Sequence, residues 1–319
     1  MSSNGHRPSV TVEFEPRFCA THVADLTAGC SFGCIYCPFS QLGARRHGVS
    51  RPTTLDLSAL HSLTVPPSLF LSPASDPFAP QAAAGTHALL AHVLPHGTTV
   101  GIVTKGIIPA ATVSLLAEHR EQIEGIAVGV TSLDDRRNRV LEPGCPAARE
   151  RLANVSHVAA YGLTAAVRLD PLFPILDDEP SALEAIVDEA AGRGAWAITA
   201  TYVFAWGPYL HRLRQEPTLA EACAVLTEKA PMEGGTAFSV PLERKLATYG
   251  WLADRAAARG LKFNTCGCKD LRVREAGLFS ASCRNTWFLA DRQHAATRNA
   301  ECLGQARAAP LDPRAAPRS

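Results

Sequence analysis

The chain has 319 residues, 46% of them hydrophobic and 19% charged, enough to bury a sizeable core in one large domain or two smaller ones. With 31 basic and 30 acidic residues the formal charge is +1, which gives no support to a general nucleic-acid-binding surface. No apolar run reaches the roughly 18 residues of a membrane span, and the polar start MSSNGHRPSV does not read as a signal peptide, so the expectation is a cytoplasmic protein whose 10 cysteines are metal ligands, catalytic groups or core fillers rather than a disulfide framework.

Residues 1–20 form a polar lead-in, and a cysteine-rich loop begins near Asp25. Beyond it, apolar runs predict strands over Ser68–Ser72, Thr99–Thr104, Gly125–Thr131, Thr164–Leu169 and Ala195–Val203. Ala-rich helical stretches fall between them, near Thr86–Val93, Ala110–His119, Ala147–Tyr161 and Ser181–Gly192. This alternation predicts an α/β fold built of βαβ units around a parallel sheet. A further helix, Leu242–Arg259, leads through Gly260 into a short strand, Leu261–Asn264. Residues 297–319, rich in Ala, Arg and Pro, read as a frayed tail. Parallel α/β folds bind ligands at the C-terminal ends of their strands, so polar residues that close an apolar run carry the most weight.

The segment GCSFGCIYCPFS sets Cys30, Cys34 and Cys37 at the spacing C-x3-C-x2-C. Three thiolates on one short loop can hold three irons of a cubane and leave the fourth open; soft thiolates suit iron–sulfur clusters. A zinc site would pair two C-x-x-C knuckles or add histidines, and the nearest, His22 and His47, lie outside the loop. With Tyr36 before the last cysteine, the loop resembles the signature of the radical S-adenosylmethionine (SAM) superfamily. Downstream, SDPF at Ser75–Phe78, VTK at Val103–Lys105, VTSLDD at Val130–Asp135, LEPG at Leu141–Gly144 and RLDP at Arg168–Pro171 are similar, in order and spacing, to the branch that includes spore photoproduct lyase. The resemblance implies a partial (β/α)6 barrel with a C-terminal cysteine-containing extension. Its core would span residues 21–210, with the last barrel elements and an auxiliary-cluster region in residues 211–296. It also implies a [4Fe-4S] cluster whose open iron chelates SAM, reductive cleavage to a 5′-deoxyadenosyl radical, and a reductant such as flavodoxin or ferredoxin.

Within that resemblance Lys105, closing the run VGIVT, falls where the methionyl carboxylate of SAM would sit; its alternative is a solvated lysine at a strand end. Ser75 and Asp76 fall where related enzymes hold the methionyl amino group, though an Asp-Pro turn would explain them as well. Thr131 and Ser132 close the next strand and could reach the ribose, or serve turn chemistry. Arg168 and Asp170 flank Leu169, so period-two geometry puts both on one face of a strand, where an active-site network is expected, with a plain structural pair as the alternative. Tyr202, Trp206 and Tyr209 read either as pocket lining or as aromatic core.

Near the C-terminus, FNTCGCKDLRVREAGLFSASC carries Cys266, Cys268 and Cys283 directly after a predicted strand. These thiols read as ligands of a second [4Fe-4S] cluster, with Cys302 or Asp270 as conceivable fourth ligand; a zinc site or free thiols are the alternatives. Spore photoproduct lyase uses a hydrogen-donor cysteine soon after its cluster. This chain has no cysteine between Cys37 and Cys145, which with the neutral charge balance counts against DNA repair. The leading expectation is therefore a radical modification of a small metabolite, such as a nucleoside or sugar. Sulfur insertion assisted by the second cluster, in natural-product biosynthesis, comes first. A radical rearrangement or lyase reaction without sulfur transfer is second, and an iron–sulfur redox sensor third.

Overall fold

The computed structural model describes residues 13–14, 22–39, 53–54, 64–72 and 74–281. Cys19, His47, Cys283, Cys302 and the tail at 297–319 lie outside the described residues.

One eight-stranded sheet organises the chain, in the order β1-β2-β5-β6-β7-β8-β9-β12. β1 (Glu13–Phe14) is an antiparallel edge on β2 (His22–Ala24). The remaining members all run parallel: β2, β5 (Ser68–Leu71), β6 (Thr99–Thr104), β7 (Ile123–Gly129), β8 (Ala165–Leu172), β9 (Ala197–Tyr202) and β12 (Lys262–Thr265). β3 (Thr27–Ala28) and β4 (Thr53–Thr54) form a separate small ladder. Each parallel crossover needs a covering element. α1 (Ala83–Val93), α2 (Ala110–Glu118), α4 (Ala148–Ala160) and α5 (Pro180–Gly192) supply it after successive strands. Their apolar positions recur at helical spacing, as in Leu152, Val155 and Val158 of α4, or Leu183, Ile186, Val187 and Ala190 of α5, and all are buried. The strands between them are near-continuous apolar runs, as expected of strands covered on both faces.

The expected α/β fold with its parallel sheet is thus present, consistent with a partial barrel, with shifts at the element ends. β7 ends at Gly129 rather than Thr131, because Asp134 caps a helix that the sequence reading lacked, α3 (Asp135–Leu141), and accepts bonds from the backbone N–H of Arg136 at 2.8 Å and Arg137 at 3.3 Å. After β9 the chain forms two short helices, α6 (Gly207–Gln215) and α7 (Ala220–Ala224), then a hairpin of β10 (Glu228–Met232) and β11 (Gly235–Ser239). α8 (Leu242–Ala257) leads into β12, and α9 (Leu271–Ala276) follows. No helix among the described residues is long and apolar enough to cross a membrane.

Register fixes which side chains share a level. Gly129, Arg168, Thr199 and Asn264 align across β7, β8, β9 and β12. Thr104 pairs with Val128, so Lys105 follows at that same level. The opposite face of β9 carries Tyr202, which stacks on Tyr249 of α8 with ring centroids 5.9 Å apart. The aligned set therefore faces away from that helix. Two residues further along the strands, on the same face by the period of two, stand Asp170, Thr201 and Cys266.

Candidate functional site

β2 delivers the chain into the cysteine loop at the C-terminal rim of the parallel sheet. Cys30, Cys34 and Cys37 are half-buried and free of disulfides. The loop rests on the LEPG segment. Ile35 N–H donates to the Leu141 carbonyl at 3.0 Å, and Gly144 N–H to the Phe32 carbonyl at 2.9 Å. A Cβ on Gly144 would lie 2.6 Å from the Ser31 carbonyl oxygen and 2.9 Å from Phe32 Cα, so only glycine lets the two backbones meet. On its other side the loop meets α6. Tyr209 donates to the Tyr36 carbonyl, and Arg212 donates to the carbonyls of Ile35 at 3.1 Å and Cys37 at 3.0 Å.

A buried carboxylate, Glu142, sits behind the loop. It accepts a hydrogen bond from Tyr36, pairs with the fully buried Arg151 at 2.7 Å, and lies 4.0 Å from Lys105 Nζ. Burial alone would raise its pKa, but the cations of Lys105 and Arg151 and the Tyr36 hydroxyl together hold it below the ordinary carboxylate value. Lys105 is in turn held charged: burial opposes its ammonium, and Glu142 with the Cys34 and Cys145 sulfurs more than offsets that. Its stem crosses Gly129, where an added Cβ would stand 2.9 Å from Lys105 Cγ. Its ammonium lies 5.7 Å from the Tyr36 ring centroid.

Cys145, an isolated cysteine in the sequence, is brought to Cys34, with the sulfurs 3.8 Å apart. The contact with Cys145 lowers the Cys34 pKa, and the same contact with burial raises that of Cys145; either sulfur can be the donor across the pair. Burial and the Asp76 charge push the Cys30 thiol up to about 12, against backbone N–H bonds from Phe32 and Asp76.

The other expected SAM contacts are embedded in local structure. The Ser75 hydroxyl and N–H donate to Asp25, at 2.8 and 2.7 Å. The Asp76 carboxylate accepts from Thr104 Oγ1 at 2.7 Å, Lys105 N–H at 2.6 Å and Phe78 N–H at 2.9 Å. Both its oxygens are engaged with the protein. The hydroxyl of Thr131 accepts from Arg137 at 3.0 Å, and that of Ser132 from Asp134 N–H at 3.0 Å. Tyr202 donates to Asp178 and belongs to the aromatic core with Tyr249. Trp206 packs on Tyr209 with centroids 4.9 Å apart.

Arg168 and Asp170 do meet in an ion pair, and a third partner joins them that sequence reasoning missed. Lys269 Nζ reaches both Asp170 oxygens, at 2.7 and 2.6 Å, and lies 5.1 Å from the Phe204 ring centroid. Burial disfavours the Asp170 charge, but Lys269 and Arg168 keep it ionised. Lys269 follows Cys268, so this contact ties the C-x-C turn to β8. Gly267 N–H donates to the Ala281 carbonyl at 2.6 Å, and a Cβ on Gly267 would meet that oxygen at 2.6 Å. Asp270 caps α9 and pairs with Lys245 at 2.7 Å and Arg272 at 2.9 Å. These partners correct the expectation that Asp270 is a spare cluster ligand.

Among the described residues no group of three or more His, Cys, Asp or Glu side chains converges to hold a single metal ion. The loop's donor set, three thiols within eight residues with backbone N–H bonds on Cys30 and the Lys105 ammonium near Cys34, fits a cluster whose irons are spread over its corners. Cys266 is buried and Cys268 half-buried; with Cys283 outside the described residues, only two donors of the second group are on view.

No protein-family model matches the chain. A 190-residue stretch is 28% identical to an uncharacterized protein of Mycobacterium tuberculosis (strain ATCC 25618 / H37Rv), covering 54% of this chain and 55% of that protein. Another of 129 residues is 27% identical to an uncharacterized protein of Acidianus two-tailed virus, covering 40% and 42%. The match thus spans about half the length of these curated relatives. Among solved structures, spore photoproduct lyase complexed with dinucleoside spore photoproduct superposes with a TM-score of 0.57 at 17% identity, over 79% of both chains. A mutant of the same lyase with bound AdoMet and dinucleoside spore photoproduct gives 0.58 at 16% identity, over 79% of this chain and 78% of that one. The chain therefore shares the fold of spore photoproduct lyase, in agreement with the motif series in its sequence.

Proposed function

Taking that shared fold as the premise, we propose that this protein is a radical SAM enzyme acting on a small-molecule substrate. The observation that carries the reading is the cysteine loop, with three thiols outside any disulfide at the rim of the sheet beside a charged, half-buried Lys105. Bound by Cys30, Cys34 and Cys37, a [4Fe-4S] cluster would supply the electron that cleaves SAM to methionine and a 5′-deoxyadenosyl radical. Lys105, held over Gly129 by Glu142, binds the methionyl carboxylate. Ser75 spends its proton on Asp25 and keeps a lone pair for the methionyl ammonium. Ser132 accepts from Asp134 N–H and keeps its proton to donate to the ribose, while Thr131, which is buried, holds Arg137. Asp76, saturated by its own neighbours, acts from behind by fixing Lys105 and Cys30. Arg168, Asp170 and Lys269 line the mouth on the substrate side.

The finer reading is a second cluster bound by Cys266, Cys268 and Cys283, with sulfur insertion as the reaction; what favours it is the C-x-C spacing of Cys266 and Cys268 just after β12. Cys145 favours a second reading. A protonated thiol 3.8 Å from Cys34 could donate a hydrogen atom in a lyase-type reaction without sulfur transfer. Anaerobic reconstitution with iron counting and a SAM-cleavage assay tests these readings: about four irons per chain mean one cubane and about eight mean two. A Cys30/Cys34/Cys37→Ala triple variant that still forms 5′-deoxyadenosine defeats the central reading, and a wild-type chain that loads clusters but never cleaves SAM favours a redox sensor. A product without sulfur defeats sulfur insertion, and a Cys145→Ala variant with unchanged product defeats the lyase-type alternative.

A further inference from the structure

Three consecutive carbonyls of the cysteine loop, those of Ile35, Tyr36 and Cys37, are each bonded by a side chain of α6. These partners are 177, 173 and 175 residues away in sequence. α6 follows β9 near one end of the sheet order, whereas the loop follows β2 near the other. The contact therefore joins the two ends of an open sheet. It is also rigid. The Arg212 guanidinium lies 5.3 Å from the Tyr209 ring centroid, Tyr209 packs on Trp206, and Tyr209, Leu210 and Leu213 bury one face of the helix.

We infer that Arg212 and Tyr209 are positioning residues for the iron–sulfur centre: they hold the ligand loop in its binding conformation, and the Arg212 charge favours the reduced centre. The inference rests on reading Cys30, Cys34 and Cys37 as cluster ligands. A loop that must be ordered at the moment of metal binding loses affinity to chain entropy, and a clamp that fixes three successive peptides removes that cost beforehand. A cation that bonds the Cys37 carbonyl stands beside a centre that gains negative charge on reduction, and net charge and hydrogen bonding are the protein's levers on cluster potential. Arginine suits both tasks, because its planar fork reaches two carbonyls at once and its charge is permanent.

The test uses the full chain, reconstituted anaerobically, and follows the reduced signal that responds to added SAM. Arg212→Gln should load iron but shift the reduction equilibrium about tenfold against the reduced form, which for one electron is ~59 mV. Arg212→Lys should recover most of that shift, yet release iron to a chelator several-fold faster than wild type, because one ammonium cannot span both carbonyls. Tyr209→Phe, which alters no charge, should speed iron release and leave the potential near wild type. If Arg212→Gln does not fold, the lysine and phenylalanine variants decide the matter through their release rates. Wild-type potential and release rates in the variants, even with a lowered melting temperature, overturn the inference and leave α6 a structural prop. Equal iron in wild type and in the Cys30/Cys34/Cys37→Ala variant instead defeats the ligand reading, and the inference with it.

Discussion

Replacing Gly129 by alanine should weaken SAM binding without removing any polar group. Gly129 does not adopt a left-handed conformation, so the backbone itself accepts alanine there. The new Cβ, however, would stand 2.9 Å from Lys105 Cγ and 3.5 Å from its Cε and Nζ. Carbon atoms rest about 3.5–4.0 Å apart, so Cγ must retreat by roughly 0.6–1.1 Å. A shift so near the root of the side chain carries the ammonium off its place, 4.0 Å from Glu142 and 5.7 Å from the Tyr36 ring centroid. A charge-assisted contact to a carboxylate is worth about 1.5–3 kcal/mol, so losing it should cost roughly ten- to a hundred-fold in affinity. The assay is equilibrium titration of iron-loaded protein with SAM, alongside iron content and melting temperature. Unchanged affinity at full iron load would refute the role given to Lys105. A parallel loss of iron would show that the strain reaches the loop rather than the lysine alone.

Gly144→Ala forces a Cβ to within 2.6 Å of the Ser31 carbonyl oxygen, an overpacking of about 1–3 kcal/mol directed at the cysteine loop; iron occupancy on reconstitution should fall, and full occupancy would contradict the cradle. Gly267→Ala meets the Ala281 carbonyl oxygen at the same 2.6 Å, so it should lower only the iron assigned to the second site and spare SAM cleavage, as two-site iron counting would show. Glu142→Gln leaves Arg151 and Lys105 without their carboxylate and should cost about 3–5 kcal/mol in denaturant titrations. Because burial is outweighed by Lys105 and Arg151, the folded Glu142 titrates below its ordinary value of 4.5. Its contribution is therefore present above pH 4.5 and lost as pH falls through the folded pKa. The glutamine variant should lack that part of the acid slope, and identical slopes would sink the assignment.

The cysteine loop was legible because its three thiols lie within eight residues, where spacing alone constrains geometry. The parallel sheet was legible because strands covered on both faces must be apolar throughout, and Lys105 because a cation closing such a run stands out. α6 escaped notice although Pro208 marks its first turn and Tyr209, Leu210 and Leu213 carry its apolar spacing. Its nine residues are too few for periodicity to speak clearly. Other features had no local signal at all. Glu142 meets Tyr36 across 106 residues, and Lys269 meets Asp170 across 99. Cys145 meets Cys34 across 111. The value of Gly129 lies in the neighbour that its missing side chain admits. A period of two or 3.6 says which face of an element is buried. It is the order and register of strands that set β9 between β8 and β12 and bring α6 over the loop, so the partners of each charge and thiol become definite only when the sheet assembles.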